Sequence, residues 1–120
     1  MALLSLPDSL SLISAPMVNQ SDLPFRLLTR KHGATLTYTQ MLDPGKLLNE
    51  REYFEFHLRD LQFCQDGYND LGLGRPVVVQ LCGNDPEIVV KAARKVEGLC
   101  DAIGVYNALS QPLMYQLINQ

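Results

Sequence analysis

The sequence has no two cysteines at a spacing that grips a metal ion. Cys64, Cys82 and Cys100 are far apart and odd in number. That excludes a C-x-x-C zinc or redox motif and argues against a disulfide framework. Reduced thiols in an intracellular compartment, cytoplasmic or nuclear, are expected, and secretion is not. Basic residues are not in excess either: 10 Lys and Arg stand against 13 Asp and Glu, a net charge of −3. Global charge therefore gives no grip on nucleic acid, and any RNA contact needs a local patch or another domain. No apolar run approaches the ~20 residues of a membrane span. The N-terminal stretch MALLSLPDSL carries no Lys or Arg before its short apolar run, so it makes a poor secretory or transit signal.

What is present reads as a folded domain. The chain has 120 residues, 47% of them hydrophobic, which is too apolar for a disordered segment and long enough for one core. The organising stretch is LISAPMVNQSDLPFRLLTR, Leu12 to Arg30. Leu10 to Ala15 reads as a short buried strand, ended by Pro16, which has no N–H for a ladder. Met17 to Gln20 form a loop, and Ser21 or Asp22 caps the helix that follows, with Pro24 in its first turn. The helical spacing puts Phe25, Leu28 and Leu27 on the core face and Arg26, Arg30 and Lys31 in water, with His32 at the helix end. Gly33 stops the helix in the left-handed conformation.

The remainder alternates. Ala34 to Tyr38 is a second strand by its β-branched and aromatic content, and Asp43-Pro44-Gly45 a turn. Leu47, Leu48, Phe54, Leu58 and Leu61 recur near helical spacing, which predicts one or two short helices over 46–63 with His57 solvated. Cys64 to Gly74 reads as a loop. PVVVQLCG after Arg75 is near-continuously apolar, the mark of a parallel strand buried on both faces. The next helix begins at Asp85 with Pro86 behind it, or at Asn84 with Glu87 completing a capping box. Ile88, Val89, Ala92, Ala93 and Val96 line its core face, and CDAIGV is a fourth strand. Strand, helix, strand, helix predicts an α/β class with a parallel sheet, whose ligands sit at the carboxyl ends of the strands.

These residues carry a resemblance. APMVNQSDLPFRLLTRKHGATLTYTQML, followed by RPVVVQLCGNDPEIVVKAARKVEGLCDAI, resembles the N-terminal half of the tRNA-dihydrouridine synthases, in the eukaryotic-type branch that acts on D-loop positions 16 and 17. The resemblance runs from Leu10 to Ile103. It implies the N-terminal part of a TIM (β/α)8 barrel, incomplete at about three and a half βα units where a whole barrel takes roughly 200 residues or more. It implies FMN as cofactor, NADPH or NADH as reductant, and uridine in tRNA as substrate. By position, Pro16, Met17 and Val18 match the first-strand segment against the flavin. Gln80 matches the third-strand glutamine at the isoalloxazine edge. Tyr38, Gln40 and Met41 match a motif at the pocket rim.

The resemblance then breaks. In the family the fourth strand runs into Asn-x-Gly-Cys-Pro, whose cysteine protonates uracil C5. Here Tyr106, Ala108, Leu109 and Ser110 stand at the Asn, Gly, Cys and Pro positions, so the family cysteine position holds Leu109. Sliding by one residue recovers Asn107 but leaves Ser110 at the catalytic place. The chain is expected to divide into a partial barrel, residues 1–105, and a divergent tail, 106–120, the change after Ile103 reading as a frame or splice discontinuity. It is expected to be inactive alone. Two other readings stay open: a non-catalytic product that needs a partner chain over its open barrel edge, and an FMN-barrel oxidoreductase acting on a small molecule.

Overall fold

The apolar run after Pro76 lies at the heart of the molecule. In the computed structural model, which describes residues 10–62 and 74–106, this run is strand β3 (Val77–Cys82), paired on both sides. β1 (Ile13–Ser14), β2 (Leu36–Leu42), β3 and β4 (Ala102–Tyr106) lie side by side in chain order, each parallel to its neighbour. Helix α1 (Leu23–Lys31) joins β1 to β2. α2 (Pro44–Asn49) and α3 (Arg51–Gln62) follow β2, and α4 (Pro86–Val96) follows β3, with a 3-10 turn, Glu97–Leu99, leading into β4. This is the α/β alternation the sequence predicts. Among the described residues it forms an open four-stranded sheet, consistent with part of a (β/α)8 barrel.

One face of the sheet carries the helices. Val77, Val79 and Leu81 point from β3 into a core completed by Leu42, Leu47, Leu61, Ala92 and Val96, all essentially inaccessible to solvent. Each such Val or Leu contributes about 1.5–3 kcal/mol through burial. The helix starts follow local chemistry. The Asp85 side chain accepts from the Glu87 and Ile88 N–H groups at 3.0 and 3.4 Å, with Pro86 at the first helical position, which settles the choice between Asp85 and Asn84. Asp43 caps α2 through the Lys46 N–H at 3.1 Å. Gly33 ends α1 at φ +107°.

Several expectations need correction. β2 begins at Leu36 and runs on to Leu42 instead of ending at Tyr38, and Pro44 and Gly45 of the expected turn open α2. β1 pairs with β2 over two residues instead of six, and Leu10, Leu12 and Ile13 are exposed, because no strand flanks β1 on its other side among the described residues. In α1 the core face is rotated. Arg26 is 1% exposed, whereas Leu28 is 52% exposed and Leu23 takes a buried place. A guanidinium can be buried here because Asp60 of α3 meets it at 2.8 Å, with the Ser21 and Asp60 carbonyls accepting from it as well. Arg30 is also drawn inward, donating to the Thr35 and Pro76 carbonyls and to the Thr37 hydroxyl. On α4, Ile88 lies outside the core, which Ala92 and Val96 fill. The expected loop from Cys64 falls on residues 63–73, outside the described residues, as do residues 1–9 and 107–120, including Leu109 and Ser110.

His57 is a further correction: it is buried and not solvated. Its ring meets Tyr53 and Phe56 edge-on, with centroids 4.6 and 4.9 Å away. Burial pushes the imidazole below its ordinary value of 6.5; the Asp22 and Asp60 carboxylates pull it back up, and Arg26 adds to the depression. The unfolded chain therefore takes up a proton at a pH where the folded chain still refuses it. This contribution to stability is complete above the unfolded pKa of about 6.5 and is lost as pH falls toward the lower folded value. The urea midpoint is expected to drop between about pH 7.5 and pH 5.5, and His57→Phe is expected to flatten that drop. Equal slopes in the two proteins would contradict a buried neutral His57.

Candidate functional site

Strand periodicity sorts β3 into two sets. Val77, Val79 and Leu81 serve the helical core, so Val78, Gln80 and Cys82 face the opposite, helix-free side. The register places Tyr38 and Ala102 beside Val78, Met41 and Gly104 beside Gln80, and Tyr106 beside Cys82. Gly104 leaves its place empty of side chain. A Cβ there would lie 3.5 Å from Tyr38 Cε1 and 3.6 Å from Val78 Cγ1, so the Tyr38 ring reaches across β3 toward β4. Gln80 is half-buried in this apolar, charge-poor setting. Among the described residues its carboxamide makes no hydrogen bond, leaving one acceptor and two donors for something else.

A bulge in β2 shapes the rim. The register slips between Tyr38 and Met41, and the Thr39 hydroxyl takes over a ladder position, accepting from the Gln80 N–H at 3.1 Å and donating to the Gln40 carbonyl at 2.8 Å. The slip turns Gln40 toward the β1–α1 loop. Gln40 Oε1 accepts from the Asn19 N–H at 3.0 Å, and its Nε2 donates to Asp22 Oδ1 at 2.8 Å. Within that loop the buried Ser21 hydroxyl accepts from the Met17 N–H at 2.7 Å and donates to the Ala15 carbonyl at 3.1 Å. The Met17 carbonyl accepts from the N–H groups of Gln20 and Ser21. Met17 thus spends both backbone groups inside the loop and offers outward only its side chain. The Pro16 carbonyl and both backbone polar groups of Val18 make no hydrogen bond among the described residues.

The structure therefore brings the predicted site residues to one end of the sheet. Pro16, Met17 and Val18 follow β1, and Gln80 lies near the carboxyl end of β3, two strand spacings away, roughly 10 Å across the sheet. Sequence pattern alone missed the loop's scaffolding by Ser21 and Gln40, since no periodicity marks a polar residue that serves a segment on another strand. The described cysteines are not activated. Burial and the Asp43 carboxylate push the Cys82 thiol up. Burial does the same to Cys100, whose Sγ lies 3.4 Å from the Val96 carbonyl and packs on the helical core. Among the described residues no three His, Cys, Asp or Glu side chains converge on a metal position, and no helix is long and apolar enough to cross a membrane.

Known proteins match most of this chain. The family model described as Dihydrouridine synthase (Dus) matches residues 13–107, which include all four strands. The tRNA-dihydrouridine(16/17) synthase [NAD(P)(+)] of Saccharomyces cerevisiae is 45% identical over 91 residues, covering 76% of this chain and 20% of the yeast protein. The tRNA-dihydrouridine(16/17) synthase [NAD(P)(+)]-like protein of Rattus norvegicus is 43% identical over 91 residues, 76% of this chain and 19% of its own. The Schizosaccharomyces pombe tRNA-dihydrouridine(16/17) synthase [NAD(P)(+)] is 40% identical over 93 residues, 78% of this chain and 21% of its own. The chain spans about a fifth of the length of these curated relatives. With a match from the first strand to the last, this chain belongs to the dihydrouridine synthase family.

Proposed function

We propose that this chain supplies the flavin-facing wall of an FMN-dependent tRNA-dihydrouridine synthase, an intracellular enzyme that reduces uridine in the tRNA D-loop at the expense of NADPH or NADH. One observation carries the reading: the half-buried Gln80 carboxamide, unengaged among the described residues, on the helix-free face at the ligand end of the sheet. The residues present fit a flavin. A flat ring with a mixed edge of N and C=O groups needs an apolar bed and neutral donors and acceptors. Met41 and the side-chain-free Gly104 flank Gln80 on that face, with Tyr38 and the buried Val78 completing its apolar floor. Gln80 would meet one part of the ring edge, and Pro16, Met17 and Val18 another. Bound there, the flavin supplies the hydride that saturates the uracil C5–C6 bond. The protein's own task is to hold the ring edge through neutral groups and to keep water off its bed.

The proton for C5 is a separate matter. Leu109 stands at the family's cysteine position and has no proton to give, while the Cys82 and Cys100 thiols are pushed up. The chain is therefore proposed to hold flavin without completing uridine reduction. A second reading, a chain that rests against a partner along β4, draws on the exposed Val105 and Tyr106 of that strand. The flavin reading is tested by Gln80→Leu, which keeps the bulk and removes donor and acceptor. FMN affinity, read from flavin fluorescence, is expected to fall about 5- to 30-fold, the equivalent of one or two neutral hydrogen bonds. An unchanged affinity in the variant would overturn the role of Gln80.

A further inference from the structure

We infer that Gln40 is a positioning residue for flavin recognition, and that it acts by fixing the Val18–Asn19 peptide so that the Val18 carbonyl is presented to the ring's imide N–H. The inference rests on the flavin reading above and adds to it a residue and a contact. Three features of the structure support it.

The first is that Gln40 is 9% exposed and uses both ends of its carboxamide on the same short segment, Asn19 on one side and Asp22 on the other. The second is Asn19 itself, a non-glycine residue at φ 59°, in the left-handed region that asparagine tolerates better than most side chains, so its own preference and the bond to Gln40 act together on this peptide. The third is Asp22. It occupies the N-cap of α1, yet its carboxylate does not cap the helix. It accepts from Gln40 instead, while Asp60 Oδ1 takes the Leu23 N–H at 2.7 Å. A local cap has been given up for a link across to β2.

The consequence follows from peptide planarity. The Asn19 N–H and the Val18 C=O belong to one trans peptide and point in opposite directions. Drawing the N–H to Gln40 Oε1 aims the Val18 carbonyl away from Gln40. That carbonyl has no hydrogen bond among the described residues, and a neutral acceptor matches the N3–H of a flavin's pyrimidine ring. Met17, with both backbone groups already used, cannot play this part.

The test compares FMN with N3-methyl-FMN, which lacks that N–H, in fluorescence titrations of the full chain. The unsubstituted chain is expected to prefer FMN about fivefold or more, the value of one hydrogen bond. Gln40→Met, similar in length but without a polar end for Asn19, is expected to lose the preference, binding both flavins alike. Gln40→Glu alone would set two carboxylates against each other, so it is combined with Asp22→Asn, which keeps an acceptor for the Asn19 N–H and exchanges donor and acceptor in the link between positions 40 and 22; this double variant is expected to retain the preference. Circular dichroism reports whether each variant folds, and if Gln40→Met does not, the double variant alone decides. A preference that survives in folded Gln40→Met, or is lost in the folded double variant, overturns the inference. So does a chain that binds FMN and its N3-methyl form equally, which leaves the flavin reading standing. A chain that takes up neither flavin overturns that reading and the inference with it.

Discussion

Arg26→Ala is expected to lower the free energy of unfolding by about 3–5 kcal/mol, the cost of stranding one member of a buried ion pair. The pair is held at 2.8 Å, with 2% of the Arg26 side chain and 9% of the Asp60 side chain accessible. Removing the guanidinium leaves the Asp60 carboxylate buried without the cation that meets it at 2.8 Å, and strips donors from the Ser21 and Asp60 carbonyls. Asp60→Ala does comparable harm from the other side, because the Leu23 N–H at the start of α1 also depends on that carboxylate. A domain has about 5–15 kcal/mol in all, so either change brings the chain close to unfolding. Replacing both residues with apolar ones of similar volume, Arg26→Met with Asp60→Leu, is expected to recover most of the loss, since no charge is then left buried. Urea unfolding of the four proteins, compared by their midpoints, measures these changes. Single variants with midpoints unchanged from the parent would show that Arg26 is wet, as the sequence alone implies. The exposed pairs Arg51–Glu55 and Lys91–Glu87 are the controls, and breaking them is expected to leave the midpoint where it was.

Leu81→Ala is expected to cost about 2–5 kcal/mol, the range for a leucine deleted from a core that cannot collapse around the gap. Leu81 has no accessible surface and sits on the strand with a neighbour on each side. Leu28→Ala, the same chemical change on α1, is expected to stay within about 0.5 kcal/mol, because Leu28 is half in water already. The two substitutions separate the observed helix orientation from the one that periodicity suggests. A large loss at Leu28 and a small one at Leu81 would reverse the inside and outside of the molecule as described.

The contrast between α1 and α4 shows where local pattern is enough. In α4 the cap, the proline and the buried Ala92 and Val96 all agree with the sequence. The charged residues there, Lys91 and Arg94, do lie outside. In β3 three valines and a leucine in near-continuous order could only be an interior strand, and they are. In α1 the same reasoning misplaces Arg26, because its partner, Asp60, is 34 positions away and no helical period reaches that far. His57 fails for a related reason. Its aromatic neighbours Tyr53 and Phe56 were in view on the same helix, but Asp22 and Arg26, which also act on its imidazole, belong to a distant stretch of the chain. At the site, Gln80 stood out as one polar residue inside an apolar strand. Gln40 was marked only by the resemblance, as a rim residue, because its two partners lie on another segment and depend on a bulge that no pattern announces.

The most direct test of the flavin wall is an NMR titration of the 15N-labelled chain with FMN carried to millimolar concentration, where even weak binding registers. The amide signals of Val18, Gln80 and Gly104 are expected to shift together along one saturable curve. Those of the helical side, Ala92 and Val96 among them, are expected to stay in place. Shifts confined to the helices, or no saturable shift at the strand ends, would contradict the account.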